Sequence, residues 1–590
     1  MKQTVKIIAL GMSIWMLVSA LSACSFEIPA ITVGEVSQES EPETDPKTFE
    51  GAGEQTTVPE TQAQPEETQP EETADESDGF EIVYPTVTVS TMALLPIEDI
   101  QDAFGEKLTA VKRIFGRGAA NDAEEFKAAI YELLSLEAQL QTQCDVAYML
   151  YLCDMTDAAW EAYLQAYTVR KRVKDRFWSF YAEARGQSHV LAEVFHEIVQ
   201  VEYEGRLVSK NAEVDDFARE MTALEGEFNA IKDSDASDRV VFEVYQKYMT
   251  AAYGLAVNSK VENYYEYAAG HTFYRNDTTA QREALREYTK KYLIPLCRAL
   301  KSKSQLADSR LWTYEFELSN RFLENAYDSF SKNFLFDYFA SLPKSSGDAM
   351  RDAFERDRVL VGDRDSSYNS AMVMDVGNTP ICYFHKSELT LHTVAHEIGH
   401  YYAHIMGQKN YYSYDLRETY STANTMLLYS YISNDLNSNA FISAELYMLY
   451  NWMYQVVLSV IKDEFDEQIF SCDPSALTLA DFERIMSGLI DKYGVGDLST
   501  NIRSQLMTYW RRLGIVYPMS NYCYATSMIT AFQIYIKSKD DYAAACEVYR
   551  RVVEQPRESG DFVATIVNAG LTTPYDEATY TELQRLIETE

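Results

Sequence analysis

Residues 392–404 read HTVAHEIGHYYAH, and this stretch decides the fold of the segment around it. Apolar residues recur here at three- and four-residue spacing and no proline interrupts residues 387–406, which predicts an amphipathic helix. The positions of the apolar stripe are Leu391, Val394, Ala395 and Ile398. On such a helix, His396 and His400 project from one face, while Glu397 lies about 100° around the axis beside them.

Residues 396–400, HEIGH, combine two histidines and one glutamate in a pattern that suits metal chemistry. Two neutral imidazoles can bind one zinc ion, and the carboxylate of Glu397 can take a proton from a water activated by that ion. This is the chemistry of metal-assisted peptide hydrolysis. A second HE pair, at residues 196–197, has Gln200 where the second histidine would be needed, so we interpret that pair as part of a helix surface.

A catalytic zinc site needs three protein ligands, so a further donor is expected after HEIGH. His404 lies four residues on, but three ligands from one helix at this spacing cannot close around one ion, so we interpret it as a supporting or surface residue. Glu418 begins the run ETYSTANTMLL, residues 418–428, which has the pattern of a second helix. A loop at residues 407–414 would let the two helices pack together, which makes Glu418 the candidate third ligand.

The segment before the histidine helix changes its period. Residues 370–384, SAMVMDVGNTPICYF, are apolar and β-prone, with a Gly377-Asn378 turn between two short runs. This pattern predicts a hairpin or a small sheet. A strand there could bind an extended peptide through main-chain hydrogen bonds, although a purely structural hairpin fits the pattern almost as well.

Taken together, the motifs at residues 392–404 and 418–428 resemble the oligoendopeptidase F branch of the thimet oligopeptidase family of zinc metallopeptidases. PICYF at residues 380–384 stands where that family has its substrate-binding edge strand. YCYAT at 522–526 is similar to the family's late Y-x-Y-A-T-G segment, and residues 559–571 are similar to its closing Ser/Gly-rich loop and helix. The resemblance extends from about Val241 to the C terminus and is weak before it.

The resemblance implies a mainly α-helical, large and prolate fold, with a deep substrate channel and a small β element next to the HExxH helix. It also implies one zinc ion at the base of the channel and short oligopeptides as substrates. The site residues that it implies are the zinc ligands His396, His400 and Glu418, the general base Glu397, and the oxyanion donors Tyr517 and Tyr524, with Tyr522 in reserve.

Three departures from the family pattern bear on the rate of catalysis. The loop between His400 and Glu418 is short, and Ser527 replaces the usual glycine of YATG. The histidine that the family has just upstream of its late tyrosines is absent from RRLGIVYPMSNY, residues 511–522. We hypothesise that Arg511 or Arg512 supplies the missing cationic donor.

The first 79 residues predict a lipid anchor and a spacer. Residues 1–23 have a basic start and a short apolar core, and residues 21–24, LSAC, resemble a bacterial lipobox, which implies a lipoprotein signal peptide and lipidation of Cys24. A plain secretory signal is the alternative, and the apolar run is short for a membrane-spanning helix. Residues 24–79 carry Thr, Glu and Pro repeats typical of a disordered acidic tether. The expected location is the bacterial cell membrane, on its extracytoplasmic face.

Composition limits the remaining possibilities. The net charge of −38 over 590 residues argues against nucleic acid as a partner and mildly favours cationic substrates. No CxxC or other close cysteine cluster indicates a cysteine zinc site or a disulfide scaffold. Long proline-free helical patterns predict an N-terminal helical domain at residues 80–341, followed by a zinc catalytic domain at 342–590. The sequence does not specify the oligomeric state.

The sequence leaves two rival functions open beside a zinc endopeptidase. One is a peptide-binding lipoprotein of the same fold in which catalysis is weakened or lost, which the absent histidine favours. The other is a related exopeptidase, although nothing in the sequence marks a site that binds a peptide terminus.

Overall fold

The chain is mainly helical, as the sequence predicts. The computed structural model describes residues 94–589 except 95, 155, 203–211, 233, 235, 305–328, 363–370, 378, 387–388, 408–412, 437–438, 500, 513–518 and 556–560. The predictions for the signal segment, Cys24, the tether and Tyr517 therefore lie outside the described residues. Within this described part, no helix is long and apolar enough to span a membrane.

The first half of the described chain is a series of amphipathic helices. These are α1 (Ile97–Arg117), α2 (Ala123–Asp154), α3 (Asp157–Arg185), α4 (Val190–Glu202), α5 (Ala212–Ile231), α6 (Asp238–Asn258), α7 (Tyr264–His271), α8 (Thr279–Tyr288), α9 (Ile294–Ser304), α10 (Ser329–Ala340) and α11 (Lys344–Glu355). The sequence pattern runs without a break from residue 157 to 203, but the structure interrupts it after Arg185, where Gly186 ends α3. The boundary placed between residues 341 and 342 stays a prediction.

A three-stranded sheet follows these helices. It consists of β1 (Val359–Gly362), β2 (Ala371–Val376) and β3 (Thr379–His385), in the order β1-β3-β2. β2 and β3 form the expected antiparallel hairpin, and Gly377 takes the left-handed conformation with φ 58° that its turn requires. Met372, Met374 and Tyr383 pack into the hydrophobic core formed by the N-terminal helices. The sheet therefore packs against the N-terminal helices on the one hand and against the following helix, Leu391–Ile405, on the other.

The prediction that residues 380–384 form an edge strand is wrong from Cys382 onward. β1 pairs with β3 in parallel, with Val359 opposite Cys382 and Gly362 opposite His385, so β3 is the central strand. Its main-chain groups there are already bonded on both sides and cannot receive a peptide. No local pattern indicates this pairing, because β1 is only four residues long and the strand it pairs with follows β2 in the chain.

The second half of the chain is again helical. Its helices are α12 (Leu391–Ile405), α13 (Tyr414–Leu436), α14 (Asn439–Phe470), α15 (Leu479–Tyr493), α16 (Ile502–Met507), α17 (Tyr509–Arg512), α18 (Asn521–Asp540), α19 (Tyr542–Val553), α20 (Phe562–Asn568) and α21 (Glu577–Thr589). α12 packs on the sheet and on α13, and α13 packs in turn on α18. α12 and α13 are the two helices that the sequence predicts around HEIGH and Glu418.

Gly399 sets the distance between α12 and α13. A Cβ atom at this position would lie 2.7 Å from Ser421 Cα, 2.8 Å from the Tyr420 carbonyl oxygen and 3.1 Å from Asn424 Cβ. Two of these neighbours are backbone atoms, which cannot turn aside as a flexible side chain can. Only glycine permits this approach, which accounts for its place inside a helix despite its low helix propensity.

We expect Gly399→Ala to destabilise the protein by about 1–3 kcal/mol, because the added methyl group forces the two helices apart. Chemical denaturation monitored by circular dichroism would measure the change. Gly488→Ala is the matched control, since Gly488 lies within α15 with no atom near its missing Cβ. It should stabilise the protein by up to about 1 kcal/mol. Equal effects of the two substitutions would contradict the close-packing role.

Candidate metal centre

α12 presents three polar side chains of HEIGH inside the protein. The helix begins after Thr390, whose hydroxyl accepts a hydrogen bond from the Thr393 backbone nitrogen at 3.1 Å. The His396 and His400 rings lie on one face, with centroids 5.0 Å apart and planes at 83°. This is the orientation that the four-residue spacing predicts.

Glu418 approaches the two histidines from α13. Its Oε2 lies 3.8 Å from His396 Nε2. One donor atom from each of His396, His400 and Glu418 can be chosen so that all three lie within 4.8 Å of one another, and His404 is not in the group. α13 begins at Tyr414, so Glu418 lies in its second turn and not at the helix start that the run ETYSTANTMLL suggests.

All four polar side chains of the cluster are buried. His396, Glu397, His400 and Glu418 expose 8% of their surface or less. Burial, with the neighbouring His392, lowers the pKa of His396 to about 3, and burial and His396 lower that of His400 well below its usual range. Both imidazoles are therefore neutral at physiological pH, the form in which nitrogen can bind a metal. Burial and the negative charge of Glu418 raise the pKa of the Glu397 carboxyl well above its usual range.

The donor set fits one zinc ion. Two imidazole nitrogens and one carboxylate oxygen are the ligands of many catalytic zinc sites, where donor atoms lie roughly 3–3.5 Å apart. His400 Nε2 and Glu397 Oε2 are among the buried side-chain atoms of the described residues that have no hydrogen-bond partner. Buried polar atoms are seldom left so, because desolvation costs about 1–3 kcal/mol for each. A divalent cation bound by the cluster would offset that cost.

Asn424 holds the two helices in register, a role that spacing alone did not reveal. Its Nδ2 donates to the Ala395 carbonyl of α12 at 2.6 Å, next to His396. Its Oδ1 accepts from Tyr338 of α10 at 2.7 Å. The amide thus links three helices at the metal cluster. Its place in the run ETYSTANTMLL was visible in the sequence, but its partners lie 29 and 86 residues away.

His404 and Arg511 have partners away from the cluster. His404 Nδ1 lies 3.1 Å from Asp375 Oδ1 of β2, so this histidine ties α12 to the sheet, in agreement with a supporting role. The Arg511 guanidinium forms an ion pair with Asp238 and donates to the carbonyl of Ala236 at 2.8 Å. Its side chain stabilises the connection before α6, which contradicts the hypothesis that it supplies a cationic donor to the site.

The start of α18 lies next to the cluster. Burial, followed by the negative charges of Glu418 and Asp415, raises the pKa of the Cys523 thiol well above its usual range. Tyr524 follows on the same helix and is half-buried. Tyr522 is buried beneath the Arg275 guanidinium, 3.6 Å from its ring centroid, and its hydroxyl donates to Tyr575 at 3.3 Å. These two interactions of the Tyr522 side chain are with protein residues outside the metal cluster.

Three solved structures with similar architecture carry the names of peptidases. A structure of PZ peptidase A with an inhibitor matches with a TM-score of 0.59 and 15% identity, over 85% of this chain and 99% of its own. A structure named oligoendopeptidase F matches with a TM-score of 0.57 and 14% identity, over 85% of this chain and 98% of its own. A second structure of that name, from Bacillus anthracis, matches with a TM-score of 0.57 and 14% identity, over 86% of this chain and 99% of its own. No protein-family model and no curated protein matches the chain.

The chain has the fold of these peptidases. The likeness covers 85% of the chain, whereas the portion from Val241 to the C terminus makes up only about three fifths of it. The shared fold therefore includes helices that precede Val241, where the sequence resemblance is weak. At this level of identity, the likeness establishes the architecture into which α12 and α13 are built.

We expect the purified protein to bind one zinc ion per chain and His400→Ala to lower the zinc affinity at least tenfold, because the cluster loses one of its three donors. Inductively coupled plasma mass spectrometry and competition with a chromophoric chelator would measure both quantities. His271→Ala is the control, since that ring bonds the Tyr267 carbonyl at 2.9 Å within α7. Unchanged affinity in His400→Ala would exclude this cluster as the metal site.

Proposed function

We propose that this protein is a zinc-dependent endopeptidase of short oligopeptides and a member of the thimet oligopeptidase family, close to its oligoendopeptidase F branch. The observation that carries the proposal is the convergence of His396, His400 and Glu418 beside the buried carboxyl of Glu397. The peptidase architecture supports it. A bound ion would also give the buried His400 Nε2 a partner, which a protein that only binds peptides would not supply.

In this proposal His396, His400 and Glu418 hold the ion. When bound, zinc supplies Lewis acidity that polarises the scissile carbonyl and acidifies water. Glu397 accepts the proton of the attacking water and passes it to the amine nitrogen that leaves. Its burial, together with the nearby carboxylate of Glu418, raises its pKa above the usual range of a glutamate, which makes it a stronger proton acceptor than an exposed carboxylate.

Tyr517 and Tyr524 are the proposed hydrogen-bond donors to the oxyanion. Tyr524 belongs to α18, the helix whose Cys523 adjoins Glu418. Each donor of this kind contributes roughly 3 kcal/mol to transition-state stabilisation. We further propose that a deep channel above the cluster admits short unfolded peptides and excludes folded proteins by size.

We also propose that the enzyme is a lipoprotein on the extracytoplasmic face of a bacterial cell membrane. Residues 1–23 would be its signal peptide, Cys24 its lipid attachment site, and residues 24–79 a tether. In residues 27–78 the chain has 16 acidic residues against one lysine and few apolar side chains, which favours a solvated coil. Such a coil would hold the catalytic fold away from the membrane surface.

We expect Glu397→Gln to lower kcat/KM for internally quenched peptides by about 10²–10⁴-fold while the zinc content stays at one per chain, because only the proton acceptor is removed. A chelator should abolish wild-type cleavage, and added zinc should restore it. Mass spectrometry of the products would show cuts within the peptides and not successive removal of terminal residues.

Glu197→Gln is the matched control for this substitution. Glu197 follows His196 in the second HE pair and is exposed on α4, so its loss should leave turnover unchanged. Wild-type turnover in Glu397→Gln would remove the proposed mechanism. Tight peptide binding without any cleavage by the zinc-loaded wild type would favour the binding protein.

We expect Cys24→Ser, expressed in a bacterial host, to shift the protein from the membrane fraction to the soluble fraction, because a serine hydroxyl cannot carry the thioether-linked lipid. Immunoblots of the two fractions would measure the shift. Cys472→Ser, which alters a half-buried cysteine outside the anchor, should stay with the membrane. Membrane retention of Cys24→Ser would contradict the lipid anchor.

A further inference from the structure

Arg417 is a half-buried cation in the first turn of α13, directly before the candidate metal ligand Glu418. Its backbone nitrogen donates to the Ser413 carbonyl at 3.2 Å, which fixes it in the helix. Its guanidinium lies over the Tyr414 ring, 4.6 Å from the centroid. This stacking leaves the N–H groups at the edge of the guanidinium plane available to a planar anion.

Within the described residues, the Arg417 guanidinium has no carboxylate partner. Asp415, two residues earlier, accepts hydrogen bonds from Ser413 at 2.8 Å and from Thr526, and so faces away into the contact with α18. Two buried arginines of the described chain, in contrast, are neutralised. Arg275 pairs with Asp277 at 2.9 Å, and Arg286 pairs with Glu467 at 2.6 Å. Among the described residues, Arg417 is thus a positive charge without a carboxylate partner, in a chain of net charge −38.

The position of this charge is unfavourable for the helix and close to the metal cluster. A cation in the first turn faces the positive end of the helix dipole, which disfavours it. After burial and His396, the positive charge of Arg417 also lowers the pKa of His400. The same charge lowers the pKa of the Cys523 thiol, which burial raises. The guanidinium is therefore close enough to both His400 and Cys523 to act on them electrostatically, and its side chain is half-buried.

We propose that Arg417 binds a carboxylate of the peptide substrate next to the metal cluster. The proposal rests on the proposed function. A guanidinium forms two parallel N–H···O bonds to a carboxylate, which fixes orientation as well as distance. The helix N-terminus behind it adds to the attraction for an anion. The carboxylate can be the C terminus of the peptide or an acidic side chain. The first would select peptides by the distance of the cut from the C terminus, and the second by the sequence near the cut.

Because a substrate carboxylate is charged before the reaction begins, Arg417 would act mainly on KM. An oxyanion donor, in contrast, would act on kcat, since that charge exists only in the transition state. If the C-terminal carboxylate is the ligand, the distance from Arg417 to the metal also fixes how many residues the enzyme leaves on the C-terminal side of the cut.

Four forms of the full chain would test the proposal: wild type, Arg417→Gln, Arg417→Lys and the control Arg503→Gln, whose side chain is exposed and donates to Ser487 at 2.9 Å. Each would be assayed with peptides that differ only in a free or amidated C terminus, and with peptides that differ only in Asp or Asn near the cut. We expect wild type to prefer one carboxylate member at least tenfold, mostly through KM. Arg417→Gln should abolish that preference and Arg417→Lys should retain part of it, while Arg503→Gln should resemble wild type.

A binding measurement separates this proposal from the proposed function. Fluorescence anisotropy of the same labelled peptides on Glu397→Gln, with and without Arg417→Gln, requires no turnover. Arg417-dependent binding of carboxylate peptides without cleavage by wild type would support the carboxylate site and overturn the peptidase. Cleavage by wild type with equal KM for all pairs would overturn the carboxylate site and leave the peptidase standing. A loss confined to kcat, equal for acid and amide peptides, would also overturn the carboxylate site.

Discussion

The close packing of α12 against α13 at Gly399 is the contact on which the metal cluster depends. The histidines belong to one helix and Glu418 to the other, so the spacing of the donors is the spacing of the helix axes. A side chain at residue 399 would meet the backbone of α13 at 2.7–2.8 Å and move Glu418 outward. Because donor atoms of one zinc ion lie within a few ångströms, even a shift of about 1 Å would weaken the site.

Hydrogen bonds of polar side chains, and not apolar contacts, prevent α13 from sliding along α12 or rotating about its own axis. Asn424 bonds the α12 backbone beside His396, and Asp415 bonds Thr526 of α18 below Glu418. Sliding or rotating α13 would break both interactions and leave buried groups without partners, which costs about 1–3 kcal/mol for each. Directional bonds of this kind define one register, whereas apolar packing tolerates several. These hydrogen bonds therefore fix the relative positions of the candidate metal ligands independently of a bound ion.

Local pattern determined what could be predicted from the sequence. The histidine helix, the second helix with Glu418 and the β2–β3 hairpin each follow from periodicity or turn residues within about twenty positions. The pairing of β1 with β3, the partners of Asn424 and the role of Asp415 involve residues far apart in the chain, and no local pattern encodes them. Arg511 shows the same limit: nearness to Tyr522 in sequence suggested a catalytic donor, but its partner Asp238 lies 273 residues away.

Charge acts on two length scales around this cluster. The net charge of −38 repels acidic peptides at long range, but salt screens that repulsion beyond about 8 Å in physiological solution. Inside that distance the balance of individual charged groups decides. Arg275 and Arg286 are each neutralised, by Asp277 and Glu467 respectively. Arg417, in contrast, has no carboxylate partner among the described residues, and it directly precedes the donor Glu418 in the chain. A peptide with several positive charges and one carboxylate would be attracted by the net negative charge of the chain and would also pair with Arg417. Its orientation in the site would follow from the position of Arg417 relative to His400.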